Sequence, residues 1–179
     1  MNIKSLTIYC SSSNKIEPHY YELSKEIGKF LANKSIKIIY GGGDLGIMGE
    51  VSRSAYKNGG EVIGIIPDFL ISKEKKNEKT TKTIIVNNMS QRKKKLFDLG
   101  DAFLILPGGS GTIEEATEII SWKFLGLHNK NIIVFNYKNY WDGLFELYKN
   151  AMKKKFGNKN LQNICIHIKT IKEFKKLFS

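Results

Sequence analysis

Short apolar runs alternate with longer amphipathic segments along most of the chain. The runs are rich in Ile, as strands buried on both faces usually are, and they occupy residues 5–10, 36–40, 61–66, 82–86, 102–106 and 132–135. Helical spacing of apolar residues falls between most of them, at 17–33, 47–58, 88–99, 112–125 and 140–156, with a short last helix at 171–178. This alternation predicts a mostly parallel sheet with helices on both faces, a doubly wound, Rossmann-like α/β fold.

The chain is predicted to form one domain over residues 1–179, because it contains no linker and no internal repeat. The Lys- and Glu-rich stretch 72–82 predicts a mobile loop. Cys10 and Cys165 lie in apolar runs without metal-ligand spacing, which indicates buried thiols in a reducing cytoplasm and leaves a pairing of the two open. With no apolar run near 20 residues and no signal-peptide pattern at the start, we expect a cytoplasmic protein without a membrane partner.

Charge suggests nucleic acid as a partner, but its composition argues against that interpretation. The 179 residues include 29 Lys plus Arg against 17 Asp plus Glu, a net charge of +12. Only Arg53 and Arg92 are arginine, the residue best suited to base edges and phosphates. The basic excess lies in 73–95 and 130–179, whereas 96–129 is acidic. The predominance of lysine also fits biased codon usage, and no nucleic-acid partner is predicted.

Three segments that directly follow predicted strands carry polar residues or glycines. They are 10–13, 41–49 and 107–112. In open parallel sheets ligands bind outside the carboxyl ends of the strands, near the point where strand order reverses. The second segment matches the dinucleotide-binding pattern G-x-G-x-x-G through Gly41, Gly43 and Gly46. It follows the second strand, however, and not the first. The acid expected about 20 residues further on would be Glu61, which begins a strand instead of ending one. A dinucleotide site and a ligand-free tight turn therefore both remain open here.

The third segment continues into two carboxylates, Glu114 and Glu115. One interpretation is structural: Thr112 and Glu115 have the spacing of a capping box, in which each side chain bonds the other residue's backbone N–H. In the competing interpretation, one of these carboxylates lies beside a bound sugar phosphate and acts as a general base or stabilises a developing cation. Arg92, in the basic run 92–95, is a candidate for bidentate phosphate contact because its guanidinium is a planar fork.

Together these segments resemble the LOG family, the cytokinin-activating phosphoribohydrolases long catalogued as possible lysine decarboxylases. The family's signatures are G-G-G-x-x-G-x-M-G, then M-x-x-R-K, then P-G-G-x-G-T-x-x-E, and they correspond here to 41–49, 89–93 and 107–115. The resemblance implies a nucleotide-binding α/β domain that hydrolyses the N-glycosidic bond of a nucleoside 5′-monophosphate, AMP or an N6-modified AMP, to free base and ribose 5-phosphate. It further implies a homodimer, with no metal and no cofactor.

The resemblance also implies the site residues. Its catalytic pair corresponds to Arg92 and Glu115. Its substrate-binding positions correspond to Gly42, Gly43, Glu74, Met89, Arg92, Lys93, Gly109, Ser110, Gly111, Thr112, Ile113, Glu114, Glu115 and Ser121.

The chain departs from the family pattern at three positions. Ser90 replaces a common His, Ser110 a common aromatic residue, and Asp44 a small neutral residue that would not repel a phosphate.

Four other functions are alternatives to this one. A non-catalytic nucleotide or cofactor carrier on the same fold is the main alternative. A dinucleotide oxidoreductase is disfavoured by the poorly placed Glu61, and a nucleic-acid-binding protein by the scarcity of arginine. A pyridoxal phosphate decarboxylase needs one desolvated lysine, and no lysine stands in an identifiable pocket motif.

Overall fold

The computed structural model describes residues 1, 3–71, 79–156 and 164–179. Its strands are β1 (Ser5–Tyr9), β2 (Lys37–Tyr40), β3 (Val62–Pro67), β4 (Lys82–Val86), β5 (Ala102–Ile105), β6 (Asn131–Phe135) and β7 (Ile166–Ile168). Its α-helices are α1 (Pro18–Asn33), α2 (Gly46–Lys57), α3 (Asp68–Ile71), α4 (Met89–Leu99), α5 (Ser110–Phe124), α6 (Asp142–Lys153) and α7 (Ile171–Lys176). A 3₁₀ turn, Tyr137–Asn139, precedes α6.

The described strands form one parallel sheet in the order β4-β3-β2-β1-β5-β6-β7. The predicted doubly wound α/β fold is confirmed. Strand order runs one way from β1 to β4 and the other way from β5 to β7, so the switch point lies between β1 and β5. Their register pairs Leu6 with Ala102 and Tyr9 with Ile105.

Two buried layers cover the two faces of the sheet. On one face, Leu23, Ile27 and Leu31 of α1 pack with α2 and α7 against alternate strand residues. On the other face, residues of α4 and α5, together with Trp141, pack against the intervening strand positions. Alternate side chains of a strand point to opposite faces, which explains why Ile-rich runs fill both layers. No helix of the described residues is long and apolar enough to cross a membrane.

Several predicted boundaries are wrong. The helix predicted to start at 112 begins at Ser110, and the one predicted at 140–156 spans only Asp142–Lys153. β7 and the four-residue α3 were not predicted. Of the predicted loop 72–82, residues 72–78 lie outside the described residues.

Candidate active site

The switch point brings two loops together. Leu106 donates its backbone N–H to the Tyr9 carbonyl at 2.9 Å, and Ser11 donates to the Pro107 carbonyl at 3.0 Å. A cavity of about 340 Å³ opens between these loops and the start of α4. It is lined by Cys10, Ser11, Ser12, Ser13, Met48, Met89, Arg92, Gly109, Ser110, Gly111, Thr112, Glu114 and Glu115.

The N-terminus of α5 faces this cavity. Gly109 is the N-cap residue, and no side chain caps the helix. The capping-box interpretation of Thr112 and Glu115 is therefore wrong: both residues lie inside the helix, because it starts two residues earlier than predicted. The first N–H groups of a helix have no partner within it, and the helix dipole makes this end attractive to anions. A Cβ built on Gly109 or Gly111 would meet open space, so a ligand has room to approach the backbone there.

Arg92 lies on the first turns of α4 and is only 6% exposed. The helix is started by Asn88, whose side chain accepts a hydrogen bond of 2.9 Å from the Gln91 N–H. One terminal nitrogen of Arg92 reaches the Gly41 carbonyl at 3.4 Å, and its Nε has no partner. No carboxylate of the described residues lies within 4.0 Å of this guanidinium. A buried cation with unused donors is suited to bind an anion.

Glu115 lies on the second turn of α5 and is half-buried beside the same cavity. Burial raises the pKa of its carboxyl group to about 7, although the positive charge of Arg92 acts in the opposite direction. Glu114 contributes a smaller upward effect on this pKa. The group therefore titrates near neutral pH, where a catalytic acid or base is most effective.

The first glycine-rich turn, 41–49, contributes Met48 to one wall of the cavity, whereas its glycines do not line the cavity. Met48 lines the cavity and donates its backbone N–H to the Ser11 carbonyl at 3.0 Å. Gly42 has a φ of 83° and packs against β3, and neither it nor Gly43 lines the cavity. The Asp44 carboxylate pairs with Arg53 at 2.6 Å.

Other residues implied by the resemblance lie elsewhere. The Lys93 ammonium pairs with Glu114 at 2.6 Å and with Glu118 at 3.0 Å, and these hydrogen bonds raise the Lys93 pKa. Ile113 and Ser121 are exposed on α5 and do not line the cavity. Glu74 lies outside the described residues.

Cys10, the serines 11–13 and Met48 line the cavity but were missed as site residues. The sequence did carry a signal for residues 10–13, because small polar residues there directly follow a predicted strand. Burial raises the pKa of the Cys10 thiol well above its usual range, so the thiol stays protonated. Within the described residues, no three His, Cys, Asp or Glu side chains are grouped as metal ligands would be.

Solved structures with low sequence identity share this fold. The molybdenum cofactor carrier protein of Chlamydomonas reinhardtii has a TM-score of 0.74 at 14% identity, over 97% of this chain and 94% of its own. DNA processing protein A from Helicobacter pylori has a TM-score of 0.62 at 16% identity, over 97% of this chain and 79% of its own. At these identities the likeness concerns the fold alone.

Sequence relatives are more informative. A cytokinin riboside 5′-monophosphate phosphoribohydrolase of Arabidopsis thaliana is 35% identical over 171 residues, which is 96% of this chain and 80% of the relative. A second enzyme of the same name and organism is 34% identical over 173 residues, 97% of this chain and 80% of the relative. The family model described as "Possible lysine decarboxylase" matches residues 48–177, which include Arg92 and Glu115. The chain therefore belongs to this family, and the resemblance to its LOG phosphoribohydrolases is confirmed.

Proposed function

We propose that this protein hydrolyses the N-glycosidic bond of a nucleoside 5′-monophosphate, AMP or an N6-modified AMP, to the free base and ribose 5-phosphate. One observation carries the proposal: the half-buried carboxylate of Glu115 and the buried, partly unpaired guanidinium of Arg92 line one cavity at the uncapped N-terminus of α5. The names of the sequence relatives support the same reaction.

In this proposal the phosphate binds at the start of α5. The N–H groups of Ser110, Gly111 and Thr112 have no intrahelical acceptor and supply donors for its oxygens. Arg92 adds a buried positive charge on the facing helix. Because charge-assisted hydrogen bonds are stronger in a partly desolvated site, these groups fix the ribose phosphate relative to Glu115.

Glu115 then acts on the ribose carbon that bears the base. As the C1′–N bond breaks, its electron pair leaves with the base and positive charge develops on the ribose ring. The ionised carboxylate stabilises that charge and accepts a proton from the water whose oxygen bonds to C1′. The departing base takes up a proton, so the products are free base and ribose 5-phosphate.

We also propose that the chain forms a homodimer in the cytoplasm. Exposed apolar side chains on α4 and α5 and just beyond α5 support a protein interface: Met89, Leu99, Ile113, Leu125 and Leu127. Light scattering on the purified protein tests the dimer, and cell fractionation tests the location.

The test of activity is a product assay. Purified protein is incubated with AMP, N6-prenylated AMP and the other common 5′-monophosphates, and base and ribose 5-phosphate are quantified by chromatography. We expect Glu115→Gln to lower kcat/KM by about 100-fold or more, as expected for loss of a charged group acting in the transition state. Glu146→Gln is the matched control, because Glu146 is exposed on α6.

The outcomes separate the candidate functions. Release of base that depends on Glu115 supports the hydrolase. A nucleotide that binds tightly and is recovered intact supports the non-catalytic carrier instead. Absence of free base with every monophosphate disproves the proposed reaction.

A further inference from the structure

We propose that Tyr140 is a positioning residue for the glycine-rich start of α5, holding one peptide group so that its N–H faces the phosphate site. The Tyr140 hydroxyl donates a hydrogen bond of 2.8 Å to the Gly108 carbonyl, across 32 residues of sequence. This role rests on the proposed function, since it concerns binding of the substrate phosphate. Tyr140 itself does not line the cavity.

A peptide group is planar, so fixing its carbonyl also fixes its N–H. In a trans peptide the C=O and the N–H point in opposite directions. The carbonyl that Tyr140 holds belongs to the peptide between Gly108 and Gly109, so the N–H on its other side is that of Gly109. Gly109 lines the cavity, and this hydrogen bond therefore sets the direction of a donor at the ligand site.

Gly108 is also fixed from a second side. A Cβ built at Gly108 would overlap the Thr112 side chain, which is buried at 5% exposure. The Thr112 side chain therefore packs closely on the Cα of Gly108, while Tyr140 holds its carbonyl. By contrast, a Cβ built at Gly109 or Gly111 would meet no atom within 4 Å. Because a glycine backbone can adopt many conformations, Gly108 and Gly109 need such external contacts to keep one of them.

The turn that carries Tyr140 is itself well anchored. Buried Asn136 accepts a hydrogen bond of 2.7 Å from the Trp141 N–H and donates one of 2.7 Å to the Asp142 carboxylate. The ring of Tyr140 packs edge-on against Trp141, with 4.9 Å between centroids. Because these contacts already hold the turn in place, little further conformational entropy of Tyr140 is lost when its hydroxyl bonds the Gly108 carbonyl.

The test compares Tyr140→Phe with Tyr137→Phe on the full chain. Both changes remove one hydroxyl from the same aromatic cluster, in which Tyr20 packs against Tyr137 and Tyr140, but only the first removes the bond to Gly108. Affinity for ribose 5-phosphate is measured by calorimetry, and kcat and KM are measured with the best monophosphate. Thermal unfolding of all three proteins is recorded, because the Tyr140 side chain is partly exposed and loss of its hydroxyl is expected to change stability little.

We expect Tyr140→Phe to weaken ribose 5-phosphate binding by about three- to tenfold, the usual effect of one lost hydrogen bond. KM should rise by a similar factor while kcat stays within about twofold, and Tyr137→Phe should behave like the natural protein. Equal ribose 5-phosphate affinity in the natural protein and Tyr140→Phe, equal loss in both variants, or no binding at all overturns the positioning role. If Tyr140→Phe weakens binding but no monophosphate is hydrolysed by the natural protein, the proposed reaction fails and the positioning role stands.

Discussion

Arg53 donates two hydrogen bonds to Asp44, one to its backbone carbonyl and one to its carboxylate, each 2.6 Å long. A third, of 3.0 Å, goes to the Glu50 carboxylate. Arg53 thus ties the loop before α2 to the third turn of the same helix. The acidic residue at position 44, a departure from the family pattern, is therefore paired with Arg53 and does not line the cavity at the start of α5.

Removing Arg53 should destabilise the fold. The side chains of Arg53 and Asp44 are 24% and 20% exposed, and hydrogen bonds to charged groups contribute more than neutral ones. We expect Arg53→Ala to lower the free energy of unfolding by about 1 to 2 kcal/mol, measured by urea denaturation. Lys57→Ala, at an exposed position of the same helix, is the control. Equal stability of the two variants would show that the Asp44 contact is not stabilising.

The raised pKa of Glu115 predicts how stability depends on pH. Its carboxyl group binds a proton more tightly in the folded protein, with a pKa of about 7, than at its ordinary value of 4.5. The resulting stabilisation is fully present below about 4.5 and is lost as the pH rises through about 7. Relative to Glu115→Gln, the natural protein should therefore lose about 2 to 3 kcal/mol of unfolding free energy between pH 4.5 and pH 8. Urea denaturation of both proteins across this range measures the difference, and a constant difference contradicts the assignment.

The same group predicts the pH dependence of activity. The proposed reaction uses the ionised carboxylate of Glu115, so kcat/KM should rise with pH and level off above about 7. Initial rates with the best monophosphate between pH 5 and pH 9 give the profile. A kcat/KM that falls across pH 7 would mean that the protonated carboxyl is the active form.

Two glycines of the same turn should respond differently to alanine. At Gly108 the added methyl would overlap the Thr112 side chain, so we expect a loss of about 1 to 3 kcal/mol in unfolding free energy. At Gly111 the methyl meets open space within a helix, and stability should be unchanged or slightly higher. The same methyl narrows the approach to the backbone N–H groups, so ribose 5-phosphate should bind Gly111→Ala more weakly. Stability and calorimetric affinity measured on both variants test the contrast.

Much of the fold could be predicted because buried parallel strands carry a strong local signal. The six predicted strands agree with the structure to within about one residue at each end. Short Ile-rich runs bounded by polar residues are typical of buried strands. β7 was missed because Ile166–Ile168 is short, with an exposed His167 between its two Ile residues. The start of α5 was misplaced because glycines 109 and 111 suggest a loop, although an N-cap and first turn tolerate them.

The site was only partly predictable, because its residues come together through the order of the strands. The resemblance to the LOG family pointed to Arg92 and Glu115, which lie on different helices yet line one cavity. It could not show that Lys93, next to Arg92, points toward Glu114 and Glu118, since consecutive helical residues project about 100° apart. Nor could it show that Cys10 and Met48 share a wall, which depends on β1 lying between β2 and β5.

The pairing of β1 with β5 has a consequence for how the protein folds. Leu6 lies beside Ala102, so roughly 100 residues must be enclosed before these two strands can pair. Enclosing that segment has an entropic cost, and the cavity depends on this contact, because one wall follows β1 and the other follows β5. We therefore expect the cavity to form late in folding, after β1 and β5 have paired. A nascent chain that has not yet emerged past the start of α5 therefore lacks one wall of the cavity.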